Sequence, residues 1–181
     1  MKILLFLFLN LYVLTGCSSV SSGDTASGDS AAVNVVAENS AKIRVFPHVA
    51  TTLHPGKTCW SAKNPDRINA STEHHMFSSP PNIKVGMPKT ADMPKNYGEF
   101  VVRADQPLTV EMTFVDAIPG VTYRCGPIAV TFKPEIDKYY DTSLQINDRK
   151  CRINVRQLNE TASGMADPVL VNTTPANACT K

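Results

Sequence analysis

Apolar and polar residues alternate along most of this chain beyond residue 40. The clearest case is Leu108, Val110, Met112 and Phe114, set between Thr109, Glu111 and Thr113. Successive side chains of a strand point to opposite faces, so this pattern predicts a half-buried strand. Ile43 and Val45 alternate with Lys42 and Arg44, and Ile128, Val130 and Phe132 repeat the pattern before Pro134. Tyr140, Thr142, Leu144 and Ile146 carry it again, followed by Cys151, Ile153 and Val155 against Arg152, Asn154 and Arg156. Residues 99–103 and 169–171 predict two shorter strands. Turn formers punctuate these runs at Ala104-Asp105-Gln106-Pro107, Ile118-Pro119-Gly120 and Asn147-Asp148-Arg149-Lys150.

Strands with one apolar face, joined by tight turns, pack most simply as two antiparallel sheets. The expected fold is therefore an all-β, antiparallel two-sheet β-sandwich of immunoglobulin-like or transthyretin-like shape. It lacks the Cys-Trp-Cys spacing of true immunoglobulin domains. The stretch at about residues 61–97 breaks the pattern. It carries Pro65, Pro80, Pro81, Pro88 and Pro94, with only a short candidate strand at 83–85. A loop this long inside a compact domain is functional or mobile as a rule, which makes it the first place to look for a binding surface, with an insertion that carries no function as the alternative.

The first 39 residues follow a different logic. Lys2 precedes an apolar run from Ile3 to Val13 broken only by Asn10. At ~1.5 Å per residue this run covers roughly half a bilayer core, which suits a signal-peptide h-region and is too short for a transmembrane helix. Leu14-Thr15-Gly16-Cys17 follows, and it resembles the lipobox of bacterial lipoprotein precursors. The resemblance implies that residues 1–16 are removed, that the Cys17 thiol takes a diacylglyceryl group, and that the new amino terminus is acylated with palmitate. Ser18 and Ser19 follow the cysteine where an inner-membrane retention signal would carry Asp. The implied location is the outer membrane of a Gram-negative cell, facing the periplasm unless a further export step flips it; in a Gram-positive cell the same sequence would stay on the plasma membrane. Residues 17–39 are rich in Ser, Gly, Asp and Ala, so they read as a lipidated cysteine plus a disordered tether, and residues 40–181 as the sandwich domain. Two or three acyl chains, at about 0.8 kcal/mol per buried CH₂, hold such a protein to a bilayer nearly permanently.

The formal charge of +2 is not concentrated in runs, so no nucleic-acid or acidic-polymer partner is implied. Beyond Cys17 there are four cysteines, Cys59, Cys125, Cys151 and Cys179. An even number in an exported chain predicts two disulfides with three possible pairings. If residues 151–157 and 167–173 form a hairpin, Cys179 returns near Cys151. That favours Cys151–Cys179 with Cys59–Cys125, and leaves Cys125–Cys151 as the main competitor.

Three kinds of chemistry have candidate residues in the sequence. His74-His75-Met76 with Met87 and Met93 offers ligand types that suit Cu(I), but the spacing forms no tight cluster and the residues read as loop. No metal or other cofactor is expected. Hydrolase signatures such as G-x-S-x-G and H-E-x-x-H are absent from the sequence, and the histidines sit in loops or beside proline (His48 after Pro47, His54 before Pro55), so no catalytic residue is expected. Trp60, Tyr97, Tyr123, Tyr139 and Tyr140 supply rings that would stack on a sugar if they shared one face.

Several short segments run through the domain: AKIRVF at 41–46, PGKTC at 55–59, VGMP at 85–88, CGP at 125–127 and FKPE at 132–135. Together they resemble a loose group of Gram-negative outer-membrane lipoproteins to which no activity is attached. The resemblance implies that the cysteines and the Gly-Met-Pro turn are scaffold. The resulting expectation is a lipid-anchored, non-catalytic binding module that meets the membrane through Cys17 and an envelope protein or glycan through its domain. Two alternatives fit the same sequence: a lipid-anchored immunity protein against an antibacterial toxin, and a peptidoglycan- or glycan-binding envelope protein.

Overall fold

A computed structural model describes residues 39–71, 83–148 and 150–180. Among these residues the chain forms ten strands: β1 (Ser40–Val45), β2 (Ala50–Pro55), β3 (Ile68–Ser71), β4 (Gly98–Arg103), β5 (Leu108–Ile118), β6 (Val121–Phe132), β7 (Tyr139–Asn147), β8 (Lys150–Glu160), β9 (Ala166–Leu170) and β10 (Thr174–Pro175). They build two five-stranded sheets that pack face to face as a β-sandwich. The first has the order β4-β1-β7-β8-β9 and the second β10-β6-β5-β2-β3. Residues 1–38, which include the lipobox-like Leu14-Thr15-Gly16-Cys17 and most of the stretch expected to be a tether, lie outside the described residues.

Period-two patterning places the core as expected. Ala41, Ile43 and Val45 of β1 point inward with Phe100, Val102, Tyr140, Ile153 and Val155 from the same sheet. Leu53, Leu108, Val110, Met112 and Phe132 of the second sheet meet them. Tyr140, inward, and Tyr139, outward, show the alternation within one strand. The Tyr140 hydroxyl accepts a hydrogen bond from the Glu135 N–H at 3.0 Å, and its ring packs on Phe132 at 5.1 Å between centroids. This is the tyrosine-corner device of sandwich folds, which fixes the turn entering β7. Burial raises the Tyr140 pKa above the ordinary phenol value.

The structure departs from the expected architecture in two ways. β1 pairs with β7 in parallel, whereas the other strand neighbours are antiparallel. A parallel pair needs a long crossover, and here the chain builds β2 to β6 between the two partners. Strands β2 and β3 were also absent from the expected set. In β2 the inward-facing Thr51 is 1% exposed and the outward-facing His54 0%, so polar residue types fill buried positions and hide the strand from a hydropathy reading.

The favoured disulfide pairing is also corrected. The bonds are Cys59–Cys179 and Cys125–Cys151. The expected hairpin of β8 with β9 does form. After β9, however, the chain crosses to the second sheet, pairs β10 with β6, and carries Cys179 to the Trp60 backbone. Cys125 is thereby left for Cys151, joining β6 of one sheet to β8 of the other. Gly126 makes this possible. At φ 93° it sits at the irregularity opposite Met112, and a Cβ there would lie 2.5 Å from the Met112 carbonyl oxygen.

Candidate functional site

The outer face of the first sheet carries a row of alternating charge. Strand register places Glu99 of β4 opposite Arg44 of β1, Arg44 opposite Asp141 of β7, and Asp141 opposite Arg156 of β8. Cross-strand neighbours at ~5 Å favour opposite charges. Arg44 donates from Nη2 to Glu99 Oε1 at 2.8 Å and from Nε at 3.3 Å. Arg156 grips Asp141 with two bonds, Nε to Oδ1 at 2.8 Å and Nη2 to Oδ2 at 2.7 Å. A row like this would ordinarily face water. Here the side chains of Arg44 and Asp141 are 0% exposed and that of Glu99 2%.

The cover is the second half of the long loop, residues 83–97, which lies across the sheet as a strap. Its main chain is held by the charged row. The N–H groups of Val85, Gly86 and Met87 donate to Glu99 Oε2 at 2.8, 3.1 and 3.4 Å. Gly86, at φ 77°, supplies the left-handed residue that turns three successive N–H groups toward one anion. Arg44 Nη2 donates to the carbonyls of Met87 at 3.3 Å and Pro88 at 2.9 Å. The Met87 side chain fills a socket with Leu158 and Ala166, rimmed by Val85 and Tyr139. At the far end the Lys89 carbonyl accepts the Ala166 N–H at 2.8 Å, and Asp92 accepts from Arg156 Nη1 at 2.6 Å. Lys42 Nζ donates to the Val85 carbonyl at 2.9 Å. Tyr97 carries Arg44 and Lys84 over its ring, 4.8 and 2.8 Å from the centroid. One Arg44 donor, Nη1, is buried without a hydrogen-bond partner.

These contacts set the charges. Burial pushes the Glu99 carboxyl up, but the Arg44 hydrogen bonds and the Val85 and Met87 N–H groups outweigh it and hold Glu99 below its ordinary value. Hydrogen bonds from Arg156 lower Asp92, and hydrogen bonding to Asp141 raises Arg156. Depressed carboxyls stabilise the folded chain fully above the ordinary carboxylate range near ~4, and that stabilisation is lost as pH falls through their folded values. The thermal midpoint is therefore expected to fall as pH drops below ~4, more steeply in the wild type than in Glu99→Gln. Differential scanning calorimetry across that range measures both slopes. Equal slopes would remove Glu99 from the acid response.

The residues singled out from the sequence do not converge on one site. His74-His75-Met76 and residues 72–82 lie outside the described residues. Met87 is buried in the strap socket and Met93 is half-buried. His54, expected beside a loop proline, lies in β2, fully buried, with Nε2 2.9 Å from Glu111 Oε2 and Nδ1 3.5 Å from the Asn64 amide. Loop residues cover this face too: Thr109 Oγ1 donates to the Lys57 carbonyl at 2.7 Å and lies 2.6 Å from Thr131 Oγ1. The rings are dispersed. Trp60 bridges to Ala178, Tyr123 meets Cys151 Sγ at 3.6 Å, Tyr97 is engaged by cations, Tyr139 lines the socket and Tyr140 is core. Sequence reasoning missed Arg44, Glu99, Asp141 and Arg156. Their signal was outward parity with alternating sign, visible only once the β1–β7 register is known. Among the described residues, no group of three or more His, Cys, Asp or Glu is placed to hold a metal ion. Comparison with protein-family models, with curated proteins and with solved structures gave no match.

Proposed function

We propose that the chain is an outer-membrane lipoprotein whose β-sandwich acts in the periplasm as a non-catalytic interaction module. The observation that carries this reading is the pair of disulfides, Cys59–Cys179 and Cys125–Cys151, on a chain that opens with a lipobox-like Leu14-Thr15-Gly16-Cys17. Disulfides persist in oxidising compartments such as the periplasm, and lipid on Cys17 would hold the domain at a membrane facing one. The binding role is supported by how the described charged groups are used. Arg44–Glu99 and Asp141–Arg156 are ion pairs that fasten residues 85–92 to the sheet, and His54 is buried against Glu111 and the Asn64 amide. Partners are the membrane, through Cys17, and an envelope protein.

Cys17→Ala tests the anchor. The wild type is expected in the membrane pellet and labelled by an alkynyl fatty acid. The variant is expected unlabelled, and either released from the membrane or left unprocessed with its leader. Unchanged labelling of the variant would sink the lipoprotein reading. Affinity capture of the tagged wild type from its own envelope, with mass spectrometry of what it holds, tests the module: one stoichiometric protein supports it, and glycan alone would move the assignment to a sugar-binding protein.

A further inference from the structure

The strap is held the way a bound peptide is held. From Val85 to Pro88 its hydrogen bonds to the sheet are all made by main chain, and Met87 supplies the anchoring side chain; the Lys89 carbonyl, Asp92 and Tyr97 add contacts beyond that stretch. Glu99 reads three N–H groups, Arg44 reads two carbonyls, and a socket of Leu158, Ala166 and Tyr139 receives the anchor. Fixed main-chain partners giving affinity, with a pocket giving specificity, are what extended-peptide recognition requires. Nothing in that chemistry needs the bound segment to belong to this chain. One feature is even left unused by the strap: Arg44 Nη1, on a side chain 0% exposed, has no acceptor.

We infer that the outer face of β1, β4, β7 and β8 is a peptide groove, and that residues 83–92 occupy it as an internal competitor. The intended occupant is an extended segment of a partner protein. It has a flexible apolar anchor of methionine or leucine size, preceded by a glycine-like turn, and an oxygen acceptor that reaches Arg44 Nη1. The extra acceptor gives such a segment an interaction the strap does not make. That advantage is needed because a tethered competitor acts at an effective concentration of roughly millimolar. The nearby sheet edge is a poorer place for the same partner. On β9 the Ala166 N–H is taken by Lys89 and Pro168 has no N–H to offer an added strand.

This deepens the interaction-module reading and rests on it. The test uses the full-length protein extracted in detergent and a fluorescein-labelled peptide of residues 83–92. Met87→Ser loosens the strap at its anchor. That variant is expected to bind the peptide saturably and at least tenfold more tightly than the wild type, by fluorescence polarisation. A peptide carrying the same Met87→Ser change is expected to lose the binding. Absence of binding, or equal affinity for variant and wild type, overturns the groove. Hydrogen exchange on the wild type gives a second reading that does not depend on how the Met87→Ser variant folds. The amides of Val85, Gly86 and Met87 are expected to exchange at least a hundredfold faster than those of Ile43 and Tyr140, through opening of the strap alone. Exchange in step with those core amides also overturns the proposal. Neither measurement depends on Cys17 or on envelope capture, so the groove and the anchored-module reading fail separately.

Discussion

Arg44→Met is expected to destabilise the fold by about 3–5 kcal/mol, although it removes a charge and adds apolar surface. The reason is what it leaves behind. Glu99, 2% exposed, would keep its charge under the strap with only backbone N–H groups to compensate, and the Met87 and Pro88 carbonyls would lose their donor. Breaking a buried pair from one side costs far more than the pair contributes over an apolar replacement. The double variant Arg44→Met/Glu99→Gln should therefore recover a good part of the loss. The glutamine oxygen still accepts from the strap, and no charge is stranded. Asp92→Ala cuts the exposed end of the same network and is expected to cost no more than about 1 kcal/mol. Urea unfolding followed by far-UV circular dichroism separates the three. A loss below about 1 kcal/mol for Arg44→Met would mean that Glu99 rehydrates freely, with the strap no longer seated.

Strand positions were legible where β-branched and aromatic residues alternate with polar ones. The runs in β1, β4, β5, β6, β7 and β8 sit where that pattern placed them, whereas the last strand of the first sheet runs over 166–170 rather than 169–171 and the candidate strand at 83–85 forms part of the strap instead. What escaped was whatever depended on which strand lies beside which. Lys42 and Arg44 have the same residue types and parity as any solvent-facing pair, and only pairing of β1 with β4 and β7 makes Arg44 the centre of an ion row. Likewise Thr51 and His54 look polar in sequence yet are 1% and 0% exposed, because a sheet packs over the first and a loop over the second. The disulfides illustrate the same divide. Cysteine count alone gives two bonds, but the pairing depends on β10 crossing to the second sheet, and a two-residue strand leaves no periodic trace. The proline content of the long loop gave no sign that its described half, residues 83–97, is fastened to the sheet by buried charge.

The largest stability loss is expected from the cysteines, and the two bonds should differ. Cys59–Cys179 spans 120 residues and Cys125–Cys151 spans 26. Loop-closure entropy in the unfolded chain gives about 5 kcal/mol for the first and about 3.5 kcal/mol for the second. Their folded-state roles run the other way. Cys125–Cys151 ties one sheet to the other at the bulge by Gly126, whereas Cys59–Cys179 holds a loop and a terminal segment over the outer face of the second sheet, where Trp60 and Ala178 bridge. Cys59→Ser/Cys179→Ser is therefore expected to lower the urea midpoint most while leaving the near-ultraviolet signature of the core intact. Cys125→Ser/Cys151→Ser should lower it less and perturb the packing of Tyr123, which lies against Cys151. Against a typical stability of about 5–15 kcal/mol, losing either bond consumes a large share, and losing both is expected to leave the chain unfolded at physiological temperature. Equal midpoints for the two variants would mean that unfolded-state entropy is not what these bonds chiefly contribute. Strain or contacts in the folded state would then set their value.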